Sequence, residues 1–171
     1  MANGHGEYTH INGSKYIGEF KDDVQEGQGE ETWIDGAKYV GQYKNGQKDG
    51  YGVYKWANGS IYRGHWVNNK INGYGEYTWN DGREYKGYWK DNNMHGKGVY
   101  TWPDQRKYDG EYQNDKKHGY GTYTYPDGRS YTGQWRFGKQ DGEGVFKTPD
   151  GMSKRGIWKE GKRQKWLDEE N

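Results

Sequence analysis

The sequence predicts an all-β protein, an elongated single-layer antiparallel meander of stacked β-hairpins. Three observations carry this. A 23-residue unit recurs in phase: Tyr85–Lys107 (YKGYWKDNNMHGKGVYTWPDQRK) matches Tyr62–Glu84 before it and Tyr108–Ser130 after it. Within each unit the side chains alternate with period two, the signature of a strand. Between the alternating runs stand dipeptides such as Asn45-Gly46 and Asn58-Gly59, which tolerate the positive φ of tight hairpin turns.

Taken in order, residues 4–15 form an N-terminal half repeat. Residues 16–153 hold six full repeats, starting at Tyr16, Tyr39, Tyr62, Tyr85, Tyr108 and Tyr131. Residues 154–171 are a degenerate capping repeat and a polar tail. They keep Gly156, Trp158 and Gly161 but put Lys154 where a tyrosine should stand. Atypical ends are expected, because the terminal units of a repeat array need caps.

In the second repeat, Tyr39, Gly41 and Tyr43 share one face of the first strand. Gly50, Gly52, Tyr54 and Trp56 share one face of the second, while Val40, Gln42, Tyr51, Val53 and Lys55 face away. Glycine weakens a strand interior, so its recurrence beside the aromatics needs a reason. The expected one is a flat floor for the rings, with Tyr62, Trp66, Tyr77 and Trp79 lying over Gly64, Gly73 and Gly75. In the fourth repeat Gln105 replaces the turn glycine and Pro103 precedes Asp104. That turn is expected to be the least regular.

Composition supports a thin, ring-stacked structure. Only 29% of the 171 residues are hydrophobic, yet there are nine Trp, eighteen Tyr and 30 Gly. An aliphatic core is excluded, and each ring can bury roughly 150–250 Å². The net charge of +1 gives no call for nucleic acid or membrane. The absence of cysteine excludes a disulfide scaffold, a thiol nucleophile and Cys-ligated zinc. No apolar run of signal-peptide or transmembrane type is present, and a soluble intracellular protein is expected.

The recurring pattern Y-x-G-x-W/Y…G-x-G resembles the MORN (membrane occupation and recognition nexus) repeat family. Tyr62-Arg63-Gly64-His65-Trp66 and His118-Gly119-Tyr120-Gly121 match its most specific portions, and the resemblance spans residues 4–161. It implies a repeat sheet that binds other proteins, in settings such as cilia, flagella, cytoskeletal collars and junctional membranes.

No catalytic, metal or cofactor site is expected. His95 and His118 occupy one repeat position and would lie roughly 10 Å apart, too far to share a zinc. Asp35, Asp81, Asp104, Asp127 and Asp150 recur once per repeat in turns, not paired in a cleft. The candidate partner-binding residues are Tyr54, Trp56, Tyr77, Trp79, Tyr100, Trp102 and Tyr123, since tyrosine and tryptophan dominate binding hot spots. The function expected is a non-catalytic scaffold or adaptor that docks a partner protein segment in an aromatic groove, within a cytoskeletal, ciliary or flagellar assembly. The alternative is a peripheral module binding anionic phospholipid through Arg155, Lys159, Lys162 and Arg163. The first repeat is acidic and the last segment basic, so homo-association through edge strands is a further expectation. Interleaved acids argue against single-stranded nucleic acid.

Overall fold

The computed structural model describes residues 1–168. Strand order along the sheet is the chain order, β1 through β15, the all-β antiparallel meander that the sequence predicts. Residues 1–81 with 89–92 form one compact unit, and residues 82–88 with 93–168 form the other. The first unit holds β1 (Gly4–Thr9), β2 (Lys15–Lys21), β3 (Val24–Thr32), β4 (Lys38–Lys44), β5 (Gln47–Lys55), β6 (Ile61–Val67) and β7 (Lys70–Thr78). The second holds β9 (Asn93–Thr101), β10 (Lys107–Gln113), β11 (Lys116–Thr124), β12 (Ser130–Arg136), β13 (Lys139–Lys147), β14 (Ser153–Lys159) and β15 (Lys162–Trp166). Strand β8 (Glu84–Lys90) contributes residues to both.

Two turn types alternate along the chain. The tight ones are two-residue loops in which both residues have positive φ, the geometry that matches strand twist. At Asp22-Asp23, Asn68-Asn69, Asp91-Asn92 and Asn114-Asp115 these angles lie between 47° and 70°. Asx residues bear this conformation because their short side chains bond locally. Here they also bond to the preceding hairpin: the Lys48 amide donates to Asn69 Oδ1 at 2.8 Å, and the Asn69 amide donates to the Lys48 carbonyl at 3.0 Å. The wider turns carry an Asx cap. The Gly59 amide donates to the Trp56 carbonyl at 3.0 Å, and the Ser60 amide donates to Asn58 Oδ1 at 2.9 Å.

The turn at Gln105 corrects an expectation. It keeps the pattern of its counterparts: Gln105 N–H donates to the Trp102 carbonyl at 3.1 Å and Trp102 N–H to the Arg106 carbonyl at 3.0 Å. The departure is confined to Gln105 itself, held at φ 75°. A side chain with a Cβ costs about 1–2 kcal/mol there. Gln105→Gly is therefore expected to stabilise the protein by about 1 kcal/mol in a denaturant titration. An unchanged or lower midpoint would refute the assignment of strain.

The floor beneath the rings is narrower than predicted. In the first unit Gly6, Gly18, Gly29, Gly41, Gly52, Gly64 and Gly75 pair in register across successive strands. In the second, Gly98, Gly110, Gly121, Gly133, Gly144 and Gly156 do the same. On these glycine tracks lie the rings of Tyr16, Tyr39, Tyr62, Tyr85, Tyr108 and Tyr131, none of which retains exposed surface. Tyr62 lies over Gly64 and Gly75, as expected, but not over Gly73.

Gly73 and its equivalents serve the backbone instead. Each sits at a bulge with positive φ, 101° at Gly50 and 94° at Gly73, where the strand register shifts. Bulges leave ladder groups unpaired, and the repeat supplies partners for two of them. Tyr51 N–H donates to Gln42 Oε1 at 3.0 Å, while Tyr39 Oη donates to the Gln42 carbonyl at 2.9 Å. The same tyrosine-to-carbonyl bond recurs at Tyr16, Tyr62, Tyr85, Tyr108 and Tyr131. The core ring is tyrosine rather than phenylalanine because its hydroxyl satisfies a carbonyl beside the bulge.

Candidate aromatic docking face

A second row of rings runs beside the buried tyrosines. In the first unit it passes through Trp33, Tyr54, Trp56, Tyr77 and Trp79, with successive centroids 5.4, 4.6, 5.0 and 4.4 Å apart. In the second it passes through Tyr100, Trp102, Tyr123 and Tyr125, at 4.3, 6.0 and 4.9 Å. The pairs alternate between residues two apart at one strand end, such as Tyr54 and Trp56, and residues of successive repeats, such as Trp56 and Tyr77. Tilted and edge-on contacts at these distances suit the quadrupoles of aromatic rings.

Of the seven residues singled out from the sequence, Tyr54, Trp56, Tyr77, Trp79, Trp102 and Tyr123 are half-buried. They pack on their neighbours along one edge and keep an open side. Tyr100 differs. It is only 6% exposed, and Arg83 Nη1 donates to its hydroxyl at 2.9 Å. Tyr100 therefore belongs mainly to the core. Trp33 and Tyr125 extend the row and were missed, although their 23-residue phase matches Trp56 and Trp102.

Sequence reasoning also missed the charged side chains on this face. Lys48 Nζ lies 5.3, 5.5, 5.6 and 5.8 Å from the rings of Trp33, Tyr39, Tyr54 and Trp66. Lys117, three repeats on, lies 5.0, 5.2, 5.6 and 5.9 Å from Tyr123, Trp135, Tyr108 and Trp102. Burial holds both ammonium groups below the ordinary lysine range. The intervening repeats put Ile71 and Met94 at the same position, so packing alone does not require a cation there.

Glu31 stands where later repeats have Tyr54 and Tyr77. Its side chain is only 12% exposed, and Tyr43 Oη donates to its Oε2 at 3.5 Å. Glu31 is thus a largely buried member of the acidic first repeat. Its negative charge acts on Lys48, partly opposing the effect of burial.

The basic residues assigned to a lipid patch do not share a face. Arg163 stacks on Trp166, 4.4 Å from its centroid, and Trp166 meets Trp158 on the aromatic side. Arg155, Lys159 and Lys162 alternate out of phase with Gly156 and Trp158 and so point to the opposite side. Arg155 is also engaged, its amide and Nε donating to Asp168 at 2.6 and 3.1 Å. Glu169 and Glu170, which follow Asp168 in the sequence, lie outside the described residues. His95 and His118 form no metal cluster, and none is present among the described residues.

Comparison with known proteins agrees with this architecture. The family model described as "MORN repeat" matches residues 1–15, 16–38, 39–61, 62–82, 85–105, 108–128 and 131–153. No curated protein sequence matches the chain significantly. Among solved structures, the TCP domain of SAS-4 (dCPAP) from Drosophila melanogaster, in complex with a proline-rich motif of Ana2 (dSTIL), is similar. It shows 13% identity and a TM-score of 0.50, over 91% of this chain and 90% of that chain. The TCP10 domain of Danio rerio CPAP is similar at 15% identity and a TM-score of 0.33, over 97% of this chain and 90% of that one.

Proposed function

We propose, for a chain that belongs to the MORN-repeat family, that it is a non-catalytic scaffold whose half-buried ring row docks an extended segment of a partner protein. The observation that carries this reading is the row itself: in each unit, tryptophan and tyrosine are packed on one side and open on the other. Aromatic-lined grooves suit polyproline II segments, which lose little entropy on binding. The dimensions agree. A hairpin advances roughly 9.6 Å across the strands, and one polyproline turn of three residues advances roughly 9.3 Å. Every third residue of such a segment would meet the next repeat. The proline-rich motif bound to the SAS-4 TCP domain is consistent with this mode. A cytoskeletal or ciliary assembly remains the setting that the family suggests. No observation favours the lipid alternative, since its four basic residues are divided between two faces.

The test is affinity purification with quantitative mass spectrometry, comparing the wild-type chain with Trp56→Ala and Trp102→Ala. Truncating a ring at a hot spot costs about 2 kcal/mol or more, so at least one partner should fall by roughly tenfold or more. Survival of the full partner set, with circular dichroism unchanged, would refute docking on this face.

A further inference from the structure

We propose that the docked segment carries a carboxylate and that Lys117 recognises it; this rests on the docking face described above. The ammonium of Lys117 is surrounded by four rings, which replace part of its hydration with quadrupole attraction. It has no carboxylate partner among the described residues. The charged neighbour that acts on it is Arg106, of like sign, and Arg106 is itself paired with Asp104 at 2.7 Å. Burial also lowers the lysine's proton affinity, so the site holds its charge against a cost that an anion would offset.

Lys48 supplies the internal comparison. It has the same repeat position and the same four-ring setting, but Glu31 of its own unit offsets its charge. Lys117 has no such counterpart, because Tyr100 occupies the position equivalent to Glu31 in the repeat before it. The site is also accessible. Lys117, Tyr123, Tyr125, Trp135 and Lys139 line an open recess of about 270 Å³, wide enough for an acidic side chain beside an extended backbone. An aspartate, a glutamate or a C-terminal carboxylate of the segment fits this chemistry.

A displayed library of random twelve-residue peptides, selected in parallel on the wild-type chain and on Lys117→Met, tests the assignment. Met94 fills the equivalent position one repeat earlier, so the variant is compatible with the fold, and circular dichroism checks it. Wild-type selection is expected to return peptides sharing one acidic position, absent after selection on Lys117→Met. In a synthetic consensus peptide, changing that acid to its amide should weaken binding roughly tenfold on wild type and less than twofold on Lys117→Met. Lys48→Met should retain the full preference. Peptides that bind through the face, as shown by their loss with Trp102→Ala, but share no acid would overturn the carboxylate inference while leaving docking intact. So would an acid preference that persists in Lys117→Met. If no selected peptide is sensitive to Trp102→Ala, the docking reading fails and the inference falls with it.

Discussion

Gly64→Ala is expected to destabilise the protein by about 3 kcal/mol or more, the upper part of the range for forced overpacking. A Cβ at this position would meet the Gly75 Cα, the Tyr62 hydroxyl at 2.6 Å and the Tyr74 carbonyl at 2.7 Å. Two of these are backbone atoms of the paired strand and cannot swing aside. The third belongs to a fully buried ring whose hydroxyl already donates to the His65 carbonyl at 2.9 Å. Gly73→Ala is the matched control. Its added Cβ would come only within 3.3 Å of the His65 Cβ, but at φ 94°. Its cost is the left-handed conformation, about 1–2 kcal/mol. Thermal or urea unfolding of the two variants should rank them in this order. Equal penalties would mean that the glycine track does not support the rings.

Alkaline pH is expected to unfold the protein over a defined window. Burial, with added repulsion from nearby carboxylates, pushes the phenols of Tyr16 and Tyr131 up to about 12. Burial pushes Tyr39, Tyr62, Tyr108 and Tyr112 in the same direction and further. These folded values lie above that of an unfolded tyrosine, about 10. The folded state therefore holds its phenolic protons more tightly, and its stability is fully present below pH 10. It falls as the pH rises through 10 and continues to fall until the folded values are passed, about 12 for Tyr16 and Tyr131. Because several rings act together, the melting temperature should drop by roughly 10 °C or more between pH 10 and 11.5. Tyrosinate absorbance at 295 nm should rise together with loss of near-ultraviolet dichroism. Complete ionisation of the phenols with the dichroism intact would contradict the burial argument.

The two effects share an origin in how the repeat solves its packing. A sheet with few aliphatic residues has to bury rings against backbone, and only glycine leaves the backbone flat enough. The ring then closes over the bulge that the other glycine creates, and its hydroxyl bonds the carbonyl there. One motif thus couples floor, ring and bulge. A change in any of them is felt by the others, which is why both the glycine and the phenolic proton carry large expected effects.

Period, strand alternation, turn positions and the ring-bearing face were legible in the sequence, because each depends on residues close in the chain. Asn58-Gly59 marks a turn by its own conformational preference, and Tyr39, Gly41 and Tyr43 share a face by alternation alone. Tertiary structure was needed wherever register across strands decides the outcome. Gly73 and Gly75 look equivalent in a Gly-x-Gly motif, but the bulge turns the first toward His65 and leaves the second under Tyr62. Gln105 looked disruptive, but the paired strands hold it in its neighbours' geometry. The place of Lys117 among four rings and the burial of Glu31 do not follow from alternation along one strand; the hairpins bring both about. The sequence by itself determined the repeat, its strands and the face that carries the rings, since these follow from local conformation and period. Which glycine bears a ring, which tyrosine stays covered and which lysine stands without a counter-charge were decided only by tertiary structure, because each depends on atoms that cross-strand register brings together.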